Sequence, residues 1–114
     1  MVYEIQLQEG EMARYLFLYS GGTTPADAPA KVKKSMEAWT AWFGKLGKAV
    51  VEPGSPTLPG KIVHSKGTKS VGAKPITGYT ILQADNLDAA VALAKSCPGI
   101  SEGGQLAVYE LAKM

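Results

Sequence analysis

The 114-residue chain predicts an α+β domain, an antiparallel sheet with two helices on one of its faces. Three observations carry that reading. Apolar, β-branched and aromatic runs at 13–20, 76–84 and 105–111 have the length and composition of strands. Apolar residues recur at steps of three and four after Pro29, and again after Asn86, as on one face of a helix. The two kinds of segment alternate as strand, helix, strand, then strand, helix, strand, within a length that suits one domain.

The first strand, residues 13–20, is apolar on both alternating sets: Tyr15, Phe17 and Tyr19 on one face, Leu16 and Leu18 on the other. A strand covered on both sides is central. Ser20-Gly21-Gly22-Thr23-Thr24-Pro25 ends it. Pro29 then opens a helix, since its fixed φ and missing N–H are tolerated only in the first turn, and Asp27 is a candidate cap. Val32, Met36, Trp39, Phe43 and Leu46 form its apolar stripe, with Trp42 beside it, and Gly47 marks its end.

Residues 49–51 read as a short second strand. The stretch 52–75 then loses its period, with four prolines and four glycines; only 61–64 has strand character, as one arm of a hairpin. The pattern resumes with a strand at 76–84. Asp85 or Asn86 caps the next helix, in which Leu87, Ala90, Val91, Ala94 and Cys97 face inward. Pro98-Gly99 stops it, and a last strand follows at 105–111.

This order, βαββαβ, is the ferredoxin-like plan, with the first and third strands central. Two helices cover one face of such a sheet. The other still carries apolar residues, so a second copy of the chain is expected to close it, as in a dimeric α/β barrel. Residues 1–11 precede the domain, which spans 12–114. They hold three glutamates and the alternation Tyr3, Ile5, Leu7: an edge strand, across the dimer or within the chain, or a stretch foreign to the domain.

Composition narrows the function. One cysteine, Cys97, leaves no internal disulfide, and one histidine, His64, leaves no histidine-rich metal site, so no metal and no cofactor is expected. A net charge of +2 without aromatic–basic interleaving disfavours nucleic acid. No apolar run is long enough for a membrane helix, and the acidic start does not have the form of a secretory signal; a cytoplasmic setting follows as the expectation.

Five stretches together resemble the YCII-related family of small bacterial proteins. They are Arg14 to Gly22, Met36 to Phe43, Thr77 to Ile81, Asp85 to Ala90 running on to Cys97-Pro98, and Gly103 to Glu110. The likeness covers roughly Met12 to Met114 and rests on their order and spacing. It implies a dimeric α/β barrel of ferredoxin-like units. Some members look like small enzymes with a His–Asp pair in the barrel cleft. Here the matching helix and strand segments have no histidine. Ser70-Val71-Gly72-Ala73-Lys74-Pro75 stands where many relatives carry Asp-Gly-Pro-Phe.

The expected function is a homodimer that binds a small anionic metabolite, with cofactor-free lyase, hydrolase or isomerase chemistry as its catalytic form; the alternative is a non-catalytic binding or accessory module. His64, the side chain that changes charge near neutral pH, is the one catalytic candidate. It lies among Lys61, Lys66, Lys69 and Lys74. His64 and Lys66 are expected at the rim of the site. Tyr19, Ser20 and Tyr79, where central strands meet loops, are expected deeper as ligand contacts. Cys97, on the inner stripe of its helix, reads as an inert thiol.

Overall fold

The computed structural model describes residues 12–113. The expectations for residues 1–11 lie outside them. The elements run β1 (Ala13–Ser20), α1 (Pro29–Leu46), β2 (Val50–Pro56), β3 (Lys61–His64), β4 (Gly67–Ser70), β5 (Ile76–Ala84), α2 (Leu87–Lys95), α3 (Pro98–Ser101) and β6 (Gln105–Glu110). A four-stranded antiparallel sheet in the order β2-β5-β1-β6 carries the fold, and β3 and β4 pair separately as a hairpin. β1 and β5 are central, as their apolar content requires. An α+β architecture with this sheet and three helices is compatible with a ferredoxin-like fold.

The helices cover the face of β1 that presents its rings. Tyr15 and Phe17 are fully buried and Tyr19 nearly so, together with Leu82, Thr80 and Ala84 of β5. Phe17 stacks on Trp42 with centroids 6.4 Å apart, and Tyr19 meets Trp39 edge-on at 4.9 Å. Such ring contacts add about 0.5–1.5 kcal/mol each beyond the area they bury. Small Ala90 and Ala94 let α2 approach the sheet closely, and Cys97 closes the same layer.

The buried face of α1 differs from the expected stripe. Ser35, Trp42 and Leu46 are buried, Trp39 and Phe43 pack partly, and Met36 is 65% exposed. The helix is turned toward the sheet by Trp42, whose indole N–H donates to Ser96 Oγ at 2.9 Å while its ring lies on Phe17. A residue with both an apolar plate and a polar donor outweighs the flexible Met36. Pro29 opens the helix and Gly47 caps it, as expected. Asp27 does not cap α1: its carboxylate accepts from Thr24 N–H at 2.7 Å in the preceding turn and pairs with Lys31 at 3.6 Å. At α2, of the two candidates, Asn86 is the cap, accepting from Ala89 N–H at 2.8 Å.

The stretch 52–75 is more ordered than its prolines and glycines implied. β2 runs on through Pro53 to Pro56 because it lies at the sheet edge, where a missing N–H costs no ladder bond. Its pairing with β5 shifts register between Glu52 and Ser55. Gly54 sits in that bulge at φ 79°, and any Cβ there would run into the carbonyl of Tyr79.

Candidate functional site

The second face of the sheet has no layer over it among the described residues. Register places Leu16 and Leu18 of β1 opposite Ile81 and Tyr79 of β5, and opposite Tyr109 and Ala107 of β6. Glu52 and Ser55 of β2 extend the row beside Ile81 and Tyr79. The result is an apolar strip with one polar corner. In that corner the Tyr79 hydroxyl donates to Glu52 Oε1 at 3.1 Å. The carboxylate holds the proton on the phenol and raises its pKa above the ordinary tyrosine value. Tyr79 therefore stays a neutral hydrogen-bonding group on an open surface. The bulge at Gly54 is what allows β2 to present both Glu52 and Ser55 on this side.

The five residues expected at the site fall in three places. Tyr79 is on the open face. Tyr19 is on the opposite, helix-covered face, where its hydroxyl donates to Thr80 Oγ1 at 2.8 Å and Thr80 in turn donates to the Pro53 carbonyl at 2.9 Å. Burial pushes the Tyr19 pKa far up. Ser20 is buried at the end of β1. His64 and Lys66 come together at the hairpin turn, where the Lys66 N–H donates to His64 Nδ1 at 3.3 Å, and all residues of β3 and β4 are exposed. The structure thus groups His64 with Lys66 and leaves Tyr19 and Ser20 as chain neighbours at the end of β1. Tyr19 and Tyr79 are separated by the strand alternation that puts neighbouring residues of β1 and β5 on opposite faces.

A polar cluster that the sequence reading missed closes the loop end of β1. Glu102 Oε1 accepts from Ser35 Oγ at 2.8 Å and from Thr23 N–H at 3.4 Å. Gly104 packs against the same loop. A Cβ on it would meet the Ser20 carbonyl oxygen at 2.6 Å and the Gly99 carbonyl oxygen at 2.9 Å, so only glycine closes this junction. Partners 67 residues apart in the chain leave no local signal for such a cluster. Its geometry is that of a strut joining α1 to the two loops. Cys97 beside it is buried, and its thiol pKa is pushed up to about 11 by burial, which suits an inert side chain.

Two shallow grooves lie on the helix side, one along Val32, Met36 and Thr40 of α1, the other between α2 and β6 at Val91, Ile100 and Leu106. None of the five expected residues lines either groove. Among the described residues no three His, Cys, Asp or Glu side chains gather as metal ligands, and no helix is long and apolar enough to cross a membrane. No protein-family model matches the chain, and no curated protein matches it.

Proposed function

We propose that this chain is a YCII-like, ferredoxin-like βαββαβ unit that acts as a cytoplasmic homodimer, closed through its uncovered sheet face into a dimeric α/β barrel. It holds a small metabolite at the polar corner of that face, where the Glu52 carboxylate favours a group that donates hydrogen bonds over the anion expected from the sequence. The observation that carries the reading is the apolar strip of Leu16, Leu18, Ile81 and Ala107 beside the Tyr79–Glu52 pair. A contiguous apolar face of this kind marks an interaction surface. The Tyr79 proton goes to Glu52, so the phenol oxygen and the carboxylate offer this corner as acceptors to a ligand that donates hydrogen bonds.

His64 bears on the choice between the binding and the catalytic form. It is exposed at the hairpin turn, and among the described residues its bond is to its own turn backbone rather than to a carboxylate. That favours binding without chemistry, an accessory or carrier role, over lyase, hydrolase or isomerase action by a His–carboxylate pair.

Sedimentation velocity tests the dimer. The wild-type chain is expected to run as a dimer at micromolar concentration. Leu18→Lys is expected to run as a folded monomer, because the new charge would be buried unpaired in the interface. A wild-type monomer refutes the reading. Thermal-shift screening of small amines, amides and alcohols, with carboxylates and phosphates for contrast, against wild type and Tyr79→Phe then tests the site: a binder whose shift survives the substitution undiminished removes Tyr79 from it.

A further inference from the structure

We propose that the hairpin of β3 and β4 is a clasp, received by a second copy of this chain along the margin of that copy's uncovered sheet face. The inference rests on the dimer reading above and adds which segment secures the pair.

The hairpin is incomplete as it stands. Thr57 ties its base to β5, through its N–H to the Thr77 carbonyl at 3.0 Å and its hydroxyl to the Ile76 carbonyl at 2.7 Å. Beyond that base, among the described residues, β3 and β4 pair only with each other, and every residue in them is exposed. Two isolated strands are marginal in water, and each presents a bare edge. The arm also spends apolar side chains on solvent: Leu58 is 87% exposed and Val63 77%.

The size of the sheet face gives the second argument. Four strands about 4.8 Å apart, of 7, 9, 8 and 6 residues in sheet order, make a footprint of about 19 by 25 Å, or about 480 Å². Stable pairs bury about 800 Å² on each partner. Surface relief raises the accessible area above the footprint, yet the flat face alone stays at the small end. β2 leads directly from that face into the arm, so the arm is the adjoining surface that can extend the contact.

Charge points the same way. From Pro53 to Ala84 the chain has Lys61, Lys66, Lys69 and Lys74 and no acidic residue. Glu52 is the one carboxylate that register places on the open face among the described strands. A basic arm repels its own twin and is drawn toward the partner's carboxylate.

The experiment measures the dimer dissociation constant of the full chain by sedimentation equilibrium, for wild type, Val63→Asp and Met36→Asp. Both substituted side chains are largely exposed, so each variant should fold, which circular dichroism melts check. Val63→Asp is expected to weaken the dimer at least tenfold, while Met36→Asp, on the far side of α1, leaves it unchanged. A wild-type monomer removes the dimer reading and the clasp with it. A wild-type dimer that Val63→Asp leaves intact overturns the clasp alone. Equal weakening by both variants shows an effect of added charge and also overturns it.

Discussion

Alternate residues of β1 stand in two environments. Tyr15, Phe17 and Tyr19 are sealed between sheet and helices, while Leu16 and Leu18, one residue away, are half-buried on a face with no second layer among the described residues. On the covered face, polar groups are paired inside the protein, as in the relay from Tyr19 through Thr80 to the Pro53 carbonyl. On the open face the Tyr79–Glu52 pair meets solvent. The difference shows where a fold spends its stability and where it leaves surface for a partner. Rings went to the side where α1 supplies Trp39 and Trp42, because flat plates there find edge-on and stacked neighbours. Within β1 the aliphatic side chains, which need no ring partner, were left for the face that another surface can cover, beside Tyr79 of β5 and Tyr109 of β6.

The largest effect expected from breaking this contrast is at Phe17. Phe17→Ala empties a fully buried site against Trp42 and should cost about 3–5 kcal/mol in urea unfolding. A loss below about 1 kcal/mol would mean that the covered face is not the core. Next is Gly54→Ala, which drives a Cβ into the Tyr79 carbonyl at a positive φ. It should cost roughly 1–3 kcal/mol by the same measurement, and an unchanged midpoint would contradict the bulge. The smallest effect separates the two tyrosines by cause. Both have raised pKa values, Tyr19 chiefly by burial and Tyr79 chiefly by its bond to Glu52. Glu52→Gln should therefore lower the titration midpoint of Tyr79 and leave Tyr19 alone, as followed by phenolate absorbance. The folded state keeps the Tyr19 proton that the unfolded chain releases near pH ~10. Stability is thus whole below that pH and falls as pH rises through the folded value, and Tyr19→Phe should flatten this alkaline decline. An equal decline in that variant assigns the pH dependence elsewhere.

Much of the architecture was legible in the residues. The bounds of β1 and β5, Pro29 as helix opener, Gly47 as its stop and Asn86 as a cap all follow from local chemistry: side-chain alternation, a missing N–H, a tolerated positive φ, a short side chain that can reach back to the backbone. The expected site was less legible. Proximity to a strand end placed Tyr19 and Tyr79 together, but whether two residues share a face depends on register, and Leu18, not Tyr19, stands opposite Tyr79. Glu52, to which no spacing assigns a partner, meets Tyr79 because β2 continues past Pro53 along the sheet edge.

From residue types and spacing alone, then, came an α+β chain with two central apolar strands, two amphipathic helices and a face in need of cover. Those are consequences of period and propensity, which act within a few residues of each other. Only the tertiary structure decided which face the helices took, which side of α1 turned inward, and that the expected hairpin arm at 61–64 pairs with 67–70 apart from the main sheet. Each of these is a contest between packings of similar local cost. It is settled by long-range contacts, such as Trp42 on Phe17 and on Ser96, whose energy exists only once the distant segments have met.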